Sequence, residues 1–302
     1  MTSLASDGGP ILVTGGSGQL ATSMTRLGGP RIHLVGRPAV DFDQPASLAA
    51  SFAAIQPVAV VNAAAWTAVD AAEVNIDGAT RANRDGPEIL ARLCALAGIP
   101  LIHVSTDYVF DGDKGRPYVE TDPTSPTGIY GRTKADGEQV ALAANPRTIV
   151  LRTSWVYSAT GKNFVRTMIN AAEKNPVLRV VGDQSGGPTA SDDLARAILA
   201  ILERIESGGW RNDYAGIYHA AGSGETTWHG LAVAALEAAG KYGRAMPDVI
   251  AIKTADWPTP ARRPMDSRLD CGKIERVFGV RLPPWQESLV RTVDELLAPS
   301  SL

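Results

Sequence analysis

The residue pair with the clearest chemical potential is Tyr130 and Lys134. Pro126 and Gly128 interrupt the chain before the pair, and a proline-free run follows to Ala144, which predicts a loop that feeds a helix. Residues four apart share a helix face, so an ammonium would lie near a phenol and lower its pKa. Such a phenol can exchange a proton with a carbonyl and alcohol pair. Solvated helix faces also carry this spacing, so the surroundings must decide.

A glycine-rich turn near the N-terminus follows a short apolar run. Residues 11–14 predict a strand, Gly15 and Gly18 form a turn, and a helix-compatible segment continues to Leu27. In such a strand–turn–helix unit, glycines allow the backbone to approach a pyrophosphate, and the helix N-terminus offers free N–H groups. The spacing is Gly-x-x-Gly-x-x-Ala, with Ala21 in the third position. An ordinary glycine turn is the alternative.

Strands and helices alternate after this turn. The predicted strands are 31–35, 58–63, 101–106 and 148–154, and the predicted helices are 45–55, 80–97 and the Tyr130 helix to residue 144. Continuous β-branched runs between helices indicate a doubly wound parallel sheet, so we expect a Rossmann-like α/β domain over residues 10–158. Ligands bind beyond the carboxyl ends of such strands.

The second half predicts a smaller mixed α/β domain for substrate binding. It comprises residues 159–189 and 223–298, while residues 190–222 return to the first domain with a helix at 192–205 and a strand at 216–220. Its predicted elements are a helix at 163–174, a strand at 178–181, a helix capped at 226 or 227 that runs to 239, and an amphipathic helix at 279–297. Residues 1–9 are interpreted as a flexible leader.

Composition excludes several classes of protein. The 302-residue chain is 44% hydrophobic and has a formal net charge of −3, which argues against a nucleic-acid-binding face. No apolar run is long enough for a membrane span, and the N-terminus does not resemble a secretory signal. Cys94 and Cys271 lack metal-like spacing and fit a reducing cytoplasm, and the four histidines are interpreted as structural or surface residues.

The loop after the second strand bears on the choice of cofactor. Arg37 follows Gly36 where a carboxylate would bind a ribose diol, so an arginine favours the 2′-phosphate of NADPH over NADH. Asp41 and Phe42 could contact the adenine. A solvated Arg37 and a turn aspartate at position 41 are the alternatives.

Several motifs together resemble the extended short-chain dehydrogenase/reductases and, more narrowly, the dTDP-4-dehydrorhamnose reductase family. The similarity covers about residues 10–298. The motifs are Gly-Gly-Ser-Gly-Gln-Leu at 15–20, Val-Asn-Ala-Ala-Ala at 61–65, Val-Ser-Thr-Asp-Tyr-Val-Phe at 104–110, Tyr-Gly-Arg-Thr-Lys at 130–134, Arg-Thr-Ser-Trp-Val-Tyr at 152–157 and Trp-Pro-Thr-Pro-Ala-Arg-Arg-Pro at 257–264.

The resemblance implies an NADPH-dependent reduction, with NADH as the alternative cofactor. Hydride would reach C4 of dTDP-4-dehydro-β-L-rhamnose, Tyr130 would protonate the C4 oxygen, and Lys134 would bind the nicotinamide ribose and lower the pKa of the tyrosine. Thr106 would hold the carbonyl. Its neighbour Ser105 must face the other way, because successive strand residues alternate.

The resemblance also implies further contacts. For the cofactor these are Gln19, Leu20, Ala63, Ala64 and Ala65, and for the substrate they are Val69, Asp107, Trp155 and Arg263. Core packing is the alternative for Trp155, and a solvated loop is the alternative for Arg263.

The segment after the glycine turn departs from part of the family. Some members dimerise around a metal held partly by an acidic residue there, but residues 21–24 contain no carboxylate, so we predict no such metal site. For the oligomeric state, a homodimer and a monomer are both compatible with the sequence. The alternatives for function are a reductase of another nucleotide-linked 4-keto-6-deoxy sugar and a non-catalytic NADP-binding regulatory subunit on the same fold.

Overall fold

The structure is a computed structural model that describes residues 8–298. Most of the predicted leader, residues 1–7, therefore lies outside the described residues. Its last residue does make a contact: the Arg31 Nε donates a hydrogen bond of 2.9 Å to the Gly9 carbonyl oxygen.

The elements of the described chain alternate as the sequence predicts. The strands are β1 (Ile11–Thr14), β2 (Ile32–Val35), β3 (Ala59–Asn62), β4 (Leu101–Thr106), β5 (Thr148–Thr153), β6 (Val156–Tyr157), β7 (Val177–Val181), β8 (Ser185–Gly186), β9 (Thr189–Ala190), β10 (Gly216–His219), β11 (Thr226–Thr227) and β12 (Asp248–Ile252). The helices are α1 (Gln19–Gly28), α2 (Pro45–Ile55), α3 (Val69–Ala72), α4 (Ile76–Thr80), α5 (Gly86–Ala97), α6 (Ile129–Ala144), α7 (Phe164–Ala172), α8 (Ser191–Gly208), α9 (Trp228–Gly240), α10 (Gly272–Phe278) and α11 (Trp285–Leu297).

A six-stranded parallel sheet forms the centre of the molecule, in the order β10-β5-β4-β3-β1-β2. One face packs against α1, α8 and α10, and the other against α5 and α6, with apolar residues buried between the layers. The predicted doubly wound α/β fold is therefore confirmed. Because the strand order reverses between β1 and β3, a crevice opens at their carboxyl ends.

A smaller mixed region follows β5. It contains three two-stranded sheets, β7 with β12, β6 with β9 and β8 with β11, and a separate apolar core between α7, α9 and α11. Within the range predicted for this lobe, α10 instead buries Ile274 and Phe278 in the core of the central sheet. The exact division into two lobes stays a prediction.

The helix predicted at 80–97 has the wrong start. Helical structure begins at Ile76, where the Asn75 side chain accepts a hydrogen bond of 3.0 Å from the Gly78 amide. A π-helical turn, Arg81–Asp85, then joins α4 to α5. Pro87 has no N–H to donate to the preceding turn. At this turn, a Cβ on Gly137 of α6 would lie only 2.0 Å from the Asn83 carbonyl oxygen, so glycine permits this close approach.

The helix predicted at 279–297 is also wrong at its start, because its first residues lie in a loop between two helices. Gly279, in the left-handed conformation with a φ of 70°, ends α10. Pro283 and Pro284 then interrupt the helical pattern, and α11 begins at Trp285.

Candidate active site

A cavity of about 610 Å³ lies at the carboxyl edge of the central sheet. Its size is typical of a site for a small ligand or cofactor. The predicted site residues that line it are Gly15, Gly18, Gln19, Leu20, Ala63, Ala64, Ala65, Val69, Thr106, Asp107, Tyr130, Lys134 and Trp155. Residues distant in sequence thus meet at the edge where parallel strands place ligands.

The glycine turn brings β1 and α1 close to the end of β3. Gly15 has a φ of 115°, and a Cβ there would lie 3.1 Å from the Ala63 carbonyl carbon, so a side chain would be strained and crowded. No side chain caps the first turn of α1, and Gln19 Oε1 is buried without a hydrogen-bond partner among the described residues. These features leave N–H groups and a polar side chain for a ligand that carries phosphates.

The two adjacent hydroxyl groups at the end of β4, those of Ser105 and Thr106, bind different partners. Ser105 Oγ donates a hydrogen bond of 2.5 Å to Glu138 Oε1, away from the reactive groups, and the Glu138 carboxylate binds Arg152 of β5 at 2.6 Å in a buried ion pair. Thr106 Oγ1 donates to Asp107 Oδ1 at 2.9 Å and accepts from the Tyr108 amide at 3.1 Å. Thr106 lines the cavity together with Tyr130, and its hydroxyl opposes the rise in the pKa of that phenol.

The Tyr130 phenol differs from its prediction in one respect. Burial raises its pKa to about 12, and the neighbouring Thr106 hydroxyl partly offsets this effect. The expectation that Lys134 lowers this pKa is wrong for the protein alone, because the Lys134 ammonium group is directed elsewhere: its Nζ donates to the Val104 carbonyl oxygen at 2.7 Å. Burial lowers the pKa of Lys134 to about 8, against an opposing effect of Glu138.

Asp107 is a buried carboxyl group at the end of β4, with 2% of its surface exposed. Burial raises its pKa to about 7, although the neighbouring hydroxyl groups of Ser267 and Thr106 oppose the shift. Its Oδ2 atom has no hydrogen-bond partner among residues 8–298. A ligand hydroxyl in the cavity could supply one.

Two stacked indoles form the opposite wall. Trp155 has a left-handed backbone with a φ of 47°, a strained conformation for a bulky residue. Its ring stacks on Trp228 with centroids 3.7 Å apart and planes 9° apart. Trp228 Nε1 donates to Gln184 Oε1 at 3.1 Å, and Thr227 caps the helix on which Trp228 lies.

Four predicted site residues do not line the cavity. Arg37 pairs with Asp41 at 3.0 Å and with Asp43 at 2.6 Å, and Phe42 packs in an apolar cluster beside α5. Arg263 binds Asp70 Oδ2 at 2.8 Å, next to Val69 of the cavity wall. Its Nη1 is buried without a hydrogen-bond partner in the described chain.

Sequence reasoning missed several lining residues. They are Ser17, Val104, Thr153, Gly161, Lys162, Leu194 and Trp228. The segments 63–67, 105–108 and 154–157, which follow predicted strands, do contribute to the cavity as the strand ends predict. Trp228 had a signal of its own, because it directly follows the predicted helix cap, but only the fold brings it against Trp155.

Within residues 8–298 there is neither a cluster of metal-binding side chains nor a membrane-spanning helix. No group of three or more His, Cys, Asp and Glu side chains in this range could hold a metal, and the predicted lack of a metal site stays a prediction. No helix in the same range is both long and apolar enough to cross a membrane.

The fold and the site define a class of protein: a Rossmann-like oxidoreductase of the Tyr-x-x-x-Lys type, with a ligand cavity between the glycine turn and a smaller lobe. Comparison with known proteins narrows this class. The family described as "RmlD substrate binding domain" matches residues 9–298.

Individual relatives agree with the family match. The chain is 44% identical to a dTDP-4-dehydrorhamnose reductase of Sinorhizobium fredii over 95% of this chain and 97% of the relative. It also matches a crystal structure of that reductase from Clostridium acetobutylicum, with a TM-score of 0.86 and 35% identity over 95% and 99% of the two chains. A structure from Bacillus anthracis in complex with NADP has a TM-score of 0.86 and 29% identity over the same shares.

The chain belongs to the dTDP-4-dehydrorhamnose reductase family. The family predicted from the sequence is confirmed.

Proposed function

We propose that the chain reduces the C4 keto group of dTDP-4-dehydro-β-L-rhamnose to the alcohol of dTDP-L-rhamnose, with NADPH as the cofactor and NADH as the alternative. The proposal rests on one observation. The Tyr130 phenol, the Thr106 hydroxyl and Lys134 line the same cavity, beside the glycine turn. Relatives that match nearly the whole chain bear this activity in their names.

The residues at the glycine turn fit a dinucleotide. The close approach of Gly15 to β3, the uncapped first turn of α1 and the unpartnered Gln19 Oε1 suit a pyrophosphate. Ala63, Ala64 and Ala65 present small side chains where β3 ends. When bound, the cofactor supplies the hydride.

The protein's own part in the reaction is to provide a proton and hydrogen bonds. Reduction of a ketone places charge on its oxygen, so donors must already be directed at that position. Tyr130 would donate its proton to the C4 oxygen, and Thr106 would hold the same oxygen. Because its pKa is raised, the Tyr130 phenol keeps its proton at neutral pH until the far more basic alkoxide takes it.

The substrate would lie between the reactive groups and the indole pair. Trp155 and Val69 offer apolar surface for the sugar ring and its methyl group, and Asp107 Oδ2 is free to accept a hydrogen bond from a sugar hydroxyl. Arg263 would hold the nucleotide part, since its guanidinium lies in a fixed loop and one nitrogen has no partner among residues 8–298.

Isotope transfer tests this function against its alternatives. The chain is incubated with dTDP-4-dehydrorhamnose and NADPH deuterated at the transferable C4 position, and the product is analysed by NMR. We expect deuterium at C4 of dTDP-L-rhamnose. Deuterium in the epimeric alcohol would indicate a related reductase, and NADPH binding without transfer to any nucleotide-linked keto sugar would indicate a regulatory subunit.

The proposal also covers the cellular compartment and the oligomeric state of the protein. A reducing cytoplasm suits the chain because Cys94 and Cys271 are both free, and burial raises the pKa of each thiol. A homodimer stays a prediction, which sedimentation velocity would test.

A further inference from the structure

Thr153, the last residue of β5, carries a buried hydroxyl group that has no hydrogen-bond partner in the described part of the chain. The residue lines the cavity and is 6% exposed. Hydroxyl groups close to it do have partners: Thr106 donates to a carboxylate oxygen at 2.9 Å, and Ser154 donates to the Gly187 carbonyl oxygen at 2.5 Å. Because a buried hydroxyl without a hydrogen bond is unfavourable, a ligand in the cavity that bonds to Thr153 Oγ1 would be stabilised.

The alternation of side chains along β4 and β5 places Thr153 beside Thr106. Ser105 and Arg152 precede these two residues in their strands, and both of their side chains bind Glu138 of α6. Successive strand residues face opposite sides of a sheet, so Thr106 and Thr153 face the side that packs against α1 and α8. The two threonines are register partners in the parallel ladder, and the backbones of neighbouring strands lie about 4.8 Å apart.

The surroundings on this side of the sheet favour the cofactor as the partner of Thr153. Leu20 of α1 and Leu194 of α8 also line the cavity and belong to the apolar core, so their side chains offer the hydroxyl no acceptor. Leu20 directly follows Gln19 of the glycine turn, and Gln19 Nε2 donates to the Val156 carbonyl oxygen at 3.5 Å, just after β5. A dinucleotide bound at the glycine turn would therefore extend along this face of the sheet towards Thr153.

The nicotinamide ring has one group that suits this hydroxyl. Hydride leaves from C4 of the ring, and the carboxamide is attached to the adjacent carbon. A ring whose C4 faces a carbonyl held by Thr106 and Tyr130 would carry its carboxamide within reach of the next strand, and an amide both donates and accepts hydrogen bonds. We propose that the Thr153 hydroxyl binds the nicotinamide carboxamide and thereby orients the ring towards the substrate. The proposed function supplies the identity of the cofactor on which this inference rests.

Binding measurements test this contact without turnover. Isothermal titration calorimetry gives the Kd of NADPH and that of 2′-phospho-ADP-ribose, which lacks the nicotinamide ring, for the wild type and for Thr153→Val. We expect the variant to bind NADPH roughly 3- to 10-fold more weakly, as the loss of one neutral hydrogen bond implies, and to bind 2′-phospho-ADP-ribose as the wild type does. Thr153→Ser keeps the hydroxyl and should retain most of the affinity for NADPH.

Thr148→Val is the matched control. Thr148 begins the same strand, is 0% exposed, and donates its hydroxyl to the Ala141 carbonyl oxygen at 3.2 Å. This variant should leave both dissociation constants unchanged but lower the free energy of unfolding of the free protein, measured by urea denaturation, because it loses a hydrogen bond. Thr153→Val should not lower that free energy, since Thr153 Oγ1 makes no hydrogen bond with the described chain.

An unchanged NADPH Kd in Thr153→Val would overturn the inference, and so would an equal loss of affinity for both ligands. A raised KM for the nucleotide sugar with an unchanged NADPH Kd would assign the hydroxyl to the substrate and would also overturn it. If Thr153→Val loses affinity for NADPH alone while the wild type reduces no nucleotide-linked keto sugar, the contact with the carboxamide stands and only the proposed function fails.

Discussion

At the scale of single residues, burial controls the ionisable groups of the site. Tyr130 and Asp107 both favour their neutral forms, and Lys134 titrates closer to neutrality than a solvated lysine. A neutral phenol is the form that can donate a proton in a reduction. The spacing of Tyr130 and Lys134 could be predicted from the sequence, whereas the sign of the shift at Tyr130 could not, because it depends on what the folded chain places around the ring.

Asp107→Asn should change how stability depends on pH. The folded-state pKa of Asp107 is raised from 3.8 to about 7, so its stabilising contribution is fully present below about pH 4 and is lost as the pH rises through 7. The Asp107→Asn variant has no carboxyl group at this position, so its stability does not fall in this way as the pH rises. Its free energy of unfolding relative to the wild type should rise by roughly 3 kcal/mol between pH 4 and 8, measured by urea denaturation.

Asp111→Asn provides the control of opposite sign. The Tyr118 hydroxyl, 2.6 Å away, holds the pKa of Asp111 below its usual value. This contribution is present at neutral pH and lost as the pH falls through the folded-state pKa. The control should therefore lose stability relative to the wild type as the pH rises. The same trend in both variants would refute the account of Asp107.

Arg37→Asp should weaken the preference for NADPH over NADH. The Arg37 guanidinium pairs with Asp41 and Asp43 in the protein alone, and a 2′-phosphate would take the place of these carboxylates. Loss of one charge-assisted interaction predicts a fall of roughly 10- to 100-fold in the ratio of kcat/KM for the two cofactors.

Arg92→Asp is the matched control for this change. The side chain of Arg92 is 67% exposed and that of Arg37 is 68% exposed, and Arg92 pairs with Glu88 on the surface of α5. An unchanged ratio in Arg37→Asp, or the same fall in both variants, would exclude Arg37 from cofactor selection.

At the scale of elements, α9 links a local capping interaction to the cavity wall. Thr227 Oγ1 accepts a hydrogen bond of 3.0 Å from the Gly230 amide, and Trp228 is the first residue of the helix. Thr227→Ala should lower the free energy of unfolding by about 1 kcal/mol. Because the indole stack depends on this helix start, the variant should raise KM for the nucleotide sugar more than it lowers kcat.

Thr227→Ser retains the capping hydroxyl and is the control for that prediction. It should keep both the stability and the KM of the wild type, measured by urea denaturation and steady-state kinetics. If Thr227→Ala loses stability while KM stays constant, the wall formed by Trp228 does not contribute to substrate binding.

The elements also show which parts of the fold the sequence can predict. The β-branched runs of β1, β3 and β4 indicate buried parallel strands because both of their faces are covered. The π-helical turn before Pro87 has no comparable local signal, since it depends on the approach of Gly137 from α6. The start of α11 at Trp285 does carry a local signal, because Pro283 and Pro284 directly precede it, and the predicted start at Gly279 overlooked that signal.

At the scale of the whole molecule, the site exists only where distant segments meet. The central sheet brings the glycine turn, the end of β4 and the start of α6 to one edge, and the smaller region contributes the indole pair. The fold class and most residues of the cavity follow from the sequence because strand ends of a parallel sheet converge. The pairing of Arg37 with its carboxylates and the contact between Trp155 and Trp228 depend on packing that no local pattern specifies.

The most direct test of the account is NADPH oxidation in the presence of dTDP-4-dehydrorhamnose by the wild type and by Tyr130→Phe. The phenylalanine ring keeps the shape of the site and removes only the proton donor. We predict turnover by the wild type, a fall in kcat of roughly 10²- to 10⁴-fold in the variant, and an NADPH Kd within about twofold of the wild type. Equal turnover by the two proteins, or none by the wild type, would contradict the account.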